Sequence, residues 1–355
     1  MSARLRHLPP DVAGLLERCF EVVDVATAAR AGIDESRLRR LAAAGLLVRL
    51  APGCYVSAAV LAAAPAWAAY RLRSRAFALY SGDTTFLTGW SAVAAWHLPT
   101  VGSVPRRVTA IRPSGTGPRV QLGVYGDVRI ISVPSHQLGR VQGIGLMRTG
   151  WAIADAARSG PILPALVAAD AAMAAGRELQ TAVLAMAGWP GVARARWVAE
   201  HADPGAESPL ETLGRFTCLQ FDLPLPVANA WVGETQPEYR VDGLWPYHWA
   251  AFEADGALKY DNRPDASQIV ARQGEREWRL RRLGVDVVRF GWDLAWRNRA
   301  ELAQRFAALL RDNARHDRPV RWWKHVPGVG AVEPEPADWP SPGPAGVVLP
   351  AGWDR

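Results

Sequence analysis

Between Glu238 and Gly256 the chain reads EYRVDGLWPYHWAAFEADG, two apolar runs flanking the short turn Pro246-Tyr247-His248. A connection that short joins neighbouring strands only as an antiparallel pair. Centring the turn between Tyr247 and His248 sets the register and puts Asp242 directly opposite Glu253. Opposed residues in such a pair hold their Cβ atoms about 4.5–5.5 Å apart. Side chains alternate along a strand, so Asp255 shares the face of Glu253, while Phe252 and Ala254 turn the other way into packing. Three carboxylates, Asp242, Glu253 and Asp255, are therefore expected to converge at one strand end. Acids that close repel unless a positive charge lies between them. A hard divalent cation, Mg2+ or Mn2+, resolves that repulsion and leaves positions open for a phosphate. Lys259 is then the expected stabiliser of developing charge, and Glu211 a fourth acid from the preceding helix. A plainer reading stands beside this one. Asp242-Gly243 and Asp255-Gly256 are both turn dipeptides, which leaves Glu253 as the unusual acid, late in an apolar strand.

The elements around the hairpin follow in a clear order. Glu207-Ser208-Pro209-Leu210-Glu211-Thr212 opens a helix running to about Gln220, with Ser208 as N-cap, Pro209 in the first turn and Glu211 as the capping-box acid. LPVANAWVGE is a first strand, ahead of the hairpin. DASQIVARQGEREWRLRRLG is a long amphipathic helix, VDVVRFGW a fourth strand and NRAELAQRFAALLRDN a closing helix. From about Val326 the chain is rich in Pro and Gly, too poor in apolar periodicity to fold alone, and reads as a loose strap. Just before it, Trp322 and Trp323 are expected to dock that tail on the core.

The first sixth of the chain is a separate module. PPDVAGLLERC and VDVATAARAG read as helices, and Gly32 can stop the second. IDESRLRRLAAAGLL is a third, with Asp34 as N-cap and Leu38, Leu41 and Leu46 near one face. LLVRLAPGCYV folds back as two short strands around Ala51-Pro52-Gly53. Helix, turn, helix, hairpin is the order of a winged helix-turn-helix, whose second helix enters the major groove of DNA. Arg37, Arg39 and Arg40 would then meet phosphates or guanine edges, and Arg49 would sit on the wing. Three arginines on one helix are also what an ordinary solvated face looks like. Between this module and the C-terminal elements, TTFLTGWSAVAAWHLP suggests a helix ending at Trp96, followed by alternating strands RRVTAIRP and GDVRIISVP and by Ala-rich helices. His97 and His136 stand alone there and are assigned no chemistry.

Composition agrees with a nucleic-acid partner without requiring one. The 355 residues carry a formal charge of +7, and only Lys259 and Lys324 among the 41 Lys and Arg are lysines. Where ordinary cation positions have gone to Arg, a remaining Lys is a candidate for specified chemistry. Cys19, Cys54 and Cys218 are far apart, with neither zinc nor disulfide spacing. No apolar leader opens the chain and no stretch suits a membrane span, so a cytoplasmic setting is expected.

Two resemblances sharpen these readings. Ala31, Gly32, Leu38, Arg39, Arg40, Gly45, Leu46, Arg49, Gly53 and Tyr55 fall where the N-terminal winged helix of AbiEi-type antitoxins carries matching residues. That resemblance implies DNA binding and a cognate toxin as partner. In the C-terminal region, Ser208-Pro209-Leu210-Glu211, Val241-Asp242-Gly243-Leu244-Trp245-Pro246, Glu253-Ala254-Asp255-Gly256, Leu283-Gly284, Val287-Val288-Arg289 and Trp292-Asp293-Leu294 resemble the very-short-patch-repair branch of the PD-(D/E)XK nuclease superfamily. It implies Mg2+ or Mn2+ held by Asp242, Glu253 and Glu211, with Asp255 and Lys259 completing a phosphodiester-cleaving site. One departure stands out. The superfamily's usual lysine is two residues after the third-strand acid, where this chain has Asp255, so Lys259 would have to reach back past Gly256. The expected architecture is a multidomain α+β and α/β chain. It comprises a winged helix-turn-helix over 1–60, a mixed α/β middle region over 61–200, a restriction-endonuclease-like αβββαβ core over 205–315 and a Pro/Gly-rich tail over 326–355. The functional alternatives are a metal-dependent endonuclease that binds DNA, set in phage defence or a toxin–antitoxin pair, a non-catalytic antitoxin that represses its own operon, and an interaction scaffold.

Overall fold

The computed structural model describes residues 7–114, 119–256 and 266–354, with 266–273 as backbone only. The chain divides into two compact units, Met1–Ala172 with Arg177–His201, and Met173–Gly176 with Ala202–Arg355. Among the described residues it forms one three-stranded and two six-stranded sheets, a mixed α/β architecture.

The first unit opens with α1 (Pro10–Arg18), β1 (Val22–Asp24), α2 (Val25–Arg30), α3 (Glu35–Ala43), β2 (Leu47–Ala51) and β3 (Cys54–Ser57). The strands pair antiparallel in the order β1-β3-β2. This is winged-helix connectivity. It differs from the expected helical reading at Val22–Asp24, which forms a strand against β3 rather than the first turn of a helix. Two β-branched residues favour that extended state, and Asp24 then caps α2 by accepting from the Thr27 N–H at 2.9 Å. Asp34 caps α3 the same way, accepting from the Arg37 N–H at 2.7 Å. Leu38 and Leu41 are buried against Val12, Leu15, Leu16 and Tyr55. Gly45 ends that helix at φ +77° and Gly53 turns the wing at φ +70°, both in the left-handed region that favours glycine. Leu46 lies past the end of α3 yet still packs on the same core.

The rest of the unit runs α4 (Ala58–Ala63), α5 (Ala66–Ser81), β4 (Phe86–Leu87), α6 (Gly89–Ala95), β5 (Val108–Pro113), β6 (Arg119–Leu122), β7 (Gly126–Ile131), β8 (Leu138–Val141), β9 (Ile144–Met147), α7 (Thr149–Ser159), α8 (Ile162–Ala174), α9 (Gln180–Ala185) and α10 (Val192–His201). The sheet order is β6-β7-β5-β4-β9-β8. α7 and α8 are buried nearly all round, which is what their Ala-rich, uniformly apolar sequences require. α5 joins both parts, since Leu72 and Ala76 pack with Val22, Ala51 and Val56 of the wing sheet.

The second unit contains α11 (Pro209–Gln220), β10 (Val227–Val232), β11 (Tyr239–Trp245), β12 (Ala250–Asp255), α12 (Ala266–Arg282), β13 (Asp286–Gly291), α13 (Trp292–Arg297), α14 (Arg299–Asp312), β14 (Trp322–Val326) and β15 (Gly330–Val332). Its sheet runs β13-β12-β11-β10-β14-β15, antiparallel except for the parallel pair β12–β13. The hairpin register is the one read from the turn: Gly243 pairs with Phe252, Leu244 with Ala251 and Trp245 with Ala250. Asp242-Gly243 is no turn, because it lies inside β11. Gly243 is required there because a Cβ would come within 2.2 Å of the Phe252 ring. The segment after Val326 is not loose. It supplies β15, Trp339 meets buried Trp322 edge-on at 5.4 Å, and the Ala345 N–H donates to the Leu223 carbonyl at 3.2 Å. Asp338 holds the Lys324 ammonium at 2.5 Å. Anchoring by tryptophans and backbone bonds replaces the periodic apolar pattern this segment lacks. Trp322 and Trp323 are both buried, as their docking role requires.

Candidate nucleic-acid interface and acidic cluster

The four arginines expected to face DNA are differently placed. Arg37 makes a bidentate pair with Asp11 of α1, at 2.6 and 2.9 Å. Arg39 pairs along its own helix with Glu35 at 2.6 Å. Arg40 is exposed on α3, near enough to Asp34 to help hold that carboxyl below its usual range, after hydrogen bonds from Ser36 and the Arg37 N–H. Arg49 is exposed on β2. Exposed ion pairs contribute little to stability, so phosphates can compete for Arg37 and Arg39.

In the second unit the register makes Asp242 and Glu253 the next opposed positions beyond the Gly243–Phe252 pair. Asp242 Oδ2 accepts from the Ala254 N–H at 2.7 Å, which holds it at the junction of β11 and β12. Glu253 is 5% exposed, and its Oε1 accepts from Arg276 of α12 at 2.8 Å. Arg276 also donates to the Arg240 carbonyl. Asp255 is gripped by one guanidinium edge of Arg289, its Oδ2 accepting from Nε at 2.8 Å and its Oδ1 from Nη2. Glu211, near the start of α11, accepts from Asn229 at 2.6 Å and from the Glu207 N–H at 2.8 Å. It thus reaches one residue further back than the capping box expected from the sequence, while Ser208 still caps the Glu211 N–H at 3.2 Å.

Electrostatics ties these acids together. Burial, then the nearby Asp242, pushes the Glu253 carboxyl up to about 7, against the pull of Arg276 and Arg289. Burial also raises Asp242, opposed by its bond from the Ala254 N–H and by Arg276. Glu211 is raised chiefly by burial, with a contribution from Asp242. The structure therefore brings Asp242 within electrostatic reach of Glu211, Glu253 and Asp255. Arg276 and Arg289 lie against Glu253 and Asp255 and offset part of the repulsion, and among the described residues no group of three or more His, Cys, Asp or Glu side chains is arranged to hold a metal ion. Lys259 lies outside the described residues. Arg276 and Arg289 were not singled out by sequence reasoning as partners. Arg289 is visible in the sequence within Val287-Val288-Arg289, and it is the parallel pairing of β12 with β13 that sets it beside Glu253.

Residues 15–58, from within α1 to the start of α4, match the family described as "Transcriptional regulator, AbiEi antitoxin". Relatives in sequence include two Mycobacterium tuberculosis proteins, "Uncharacterized protein Rv2248" of strain H37Rv and "Uncharacterized protein MT2308" of strain CDC 1551, each 30% identical over 184 residues. The aligned stretch is 50% of this chain and spans 66% of those proteins. The crystal structure of the RV2827C protein from Mycobacterium tuberculosis overlays on 59% of this chain and 82% of its own, with TM-score 0.34 and 19% identity. Among the described residues no helix is long and apolar enough to cross a membrane.

Proposed function

We propose that the chain is a DNA-binding transcriptional regulator of the antitoxin type, which controls its own operon and has a cognate toxin as protein partner. The observation that carries this reading is the winged-helix module at residues 15–58, with Arg40 exposed on its second motif helix and Arg49 on its wing. The formal charge of +7 supplies long-range attraction to DNA. Mobility-shift titration of the full chain on the duplex upstream of its own gene tests it. Binding is expected to exceed that to an unrelated duplex and to weaken as salt rises. Arg40→Ala is expected to lower affinity by about fivefold to a hundredfold, as loss of a base or phosphate contact does. Arg49→Ala is expected to weaken all duplexes alike and to reduce the salt slope by about one. Salt-independent binding, or unchanged affinity in both variants, would remove the reading.

A second reading is favoured by the opposed pair Asp242 and Glu253. With the element order α11-β10-β11-β12-α12-β13, it supports a restriction-endonuclease-like core in the second unit that hydrolyses phosphodiester bonds. In that reading Asp242, Glu253 and Glu211 would hold Mg2+ or Mn2+ once Arg276 releases Glu253, with Asp255 and Lys259 beside the phosphate. Single-stranded, duplex and mismatched DNA incubated with either cation should then be cut, and Asp242→Asn should lower cleavage at least about a hundredfold. Cleavage that persists undiminished in Asp242→Asn would assign the activity elsewhere, and the absence of cleavage would leave the regulator reading alone.

A further inference from the structure

The middle region of the first unit contains a cleft of about 400 Å³, lined in part by Tyr70, Trp90, Arg107, Thr109, Arg129 and Arg158, with Asp155 at its base. That volume is within the usual range for small-molecule sites, about 300–1,000 Å³. Asp155 is 4% exposed and carries two guanidinium groups. Its Oδ1 accepts from Nε and Nη2 of Arg158, each at 3.0 Å, and its Oδ2 from Thr88 at 2.7 Å and from Arg129. Burial pushes this carboxyl up, but Arg129, Arg158 and Thr88 more than offset that, so it stays ionised.

The charges do not cancel. Arg107 is matched by a bidentate pair with Asp127, whereas Arg129 and Arg158 share one carboxylate, leaving one positive charge in excess. The two sharing arginines are unlike. Arg158 is fully held, since its Nη1 donates to the Pro190 carbonyl at 2.5 Å and its guanidinium lies 5.0 Å from the Trp189 ring centroid. Among the described residues Arg129 uses only Nη2, on Asp155, and its side chain remains 25% exposed. A guanidinium fixed at one edge, with its other donors toward a cleft of net positive charge, is a preorganised receptor for a planar or tetrahedral oxyanion. Trp90, half-buried beside it and in contact with Trp67 at 5.6 Å, adds an aromatic wall.

We propose that this cleft binds a small phosphate monoester, with Arg129 and Arg107 taking the phosphate and the Trp90 wall taking the organic part. Titration calorimetry of the full chain at constant ionic strength, with inorganic phosphate and then AMP as probes, tests this directly. Saturable binding of about one AMP per chain is expected, tighter than that of inorganic phosphate. Arg129→Gln should weaken it at least about tenfold, the effect of losing one charge-assisted contact. Because Arg129 also supports buried Asp155, Arg107→Gln serves as the independent variant. Its side chain is 47% exposed and makes no contact with Asp155, and a weakening of about threefold or more is expected. No saturable binding of either probe at about ten millimolar overturns the proposal. So does equal affinity in both variants, or binding of duplex DNA that is sensitive to Arg129 while neither small probe binds. The phosphate and AMP titrations need no DNA, so their failure and that of the regulator reading are distinguishable.

Discussion

Glu253→Gln is expected to stabilise the second unit at pH 8 by about 2–3 kcal/mol and to flatten its stability between pH 5 and 8. The Glu253 carboxyl stands at about 7 in the fold against an ordinary 4.5, because burial and Asp242 disfavour its charge. A raised acid pKa means that the folded state holds the extra proton. Its stabilising contribution is complete below about 4.5 and is lost as pH rises through about 7. Glutamine keeps the shape and the acceptor facing Arg276 but has no proton to lose. Hydrogen exchange of β11 and β12 amides across that pH range reads the difference. A variant whose protection follows the wild type at every pH would show that Glu253 ionises without cost. Divalent cation works in the opposite sense, since it needs the ionised acids, so any affinity for Mg2+ or Mn2+ should climb as pH passes about 7.

Phe252→Ala is expected to cost about 3–5 kcal/mol, the range for truncating a buried aromatic. The ring is 1% exposed and lies 5.4–5.7 Å from the ring centroids of Trp245, Phe290 and Phe306. It is also what forces glycine at 243. Denaturant unfolding followed by tryptophan fluorescence should show the midpoint fall. A loss below about 1 kcal/mol would mean that this aromatic layer rearranges to fill the space.

The hairpin was legible because its information is local: a short turn sets the register, and period two then assigns every face. The caps Asp34 and Ser208 were legible for the same reason, one residue type at one offset from a helix start. Longer-range partners were not. Arg289 meets Asp255 through a parallel pairing whose register no turn dictates, and Arg276 is one of several arginines on an amphipathic helix. Asp242-Gly243 misleads as a turn dipeptide, since the pressure for glycine comes from a ring on the neighbouring strand. Val22–Asp24 is too short for periodicity to declare it a strand, and only its pairing with β3 does so. The tail was read from composition, which misses what a few tryptophans and backbone bonds can anchor. Arg37 and Arg39 are visible in the sequence as cations, and Glu35 stands one helical turn from Arg39, but nothing local marks Asp11 as the partner of Arg37.

The near absence of lysine reaches beyond the fold into how the molecule can be handled. Amine-directed reagents meet two side-chain addresses, Lys259 and Lys324. The second is paired with Asp338. A chain this basic would ordinarily take label at many lysines, yet this one offers only those two side-chain amines besides its α-amine, without any engineered residue.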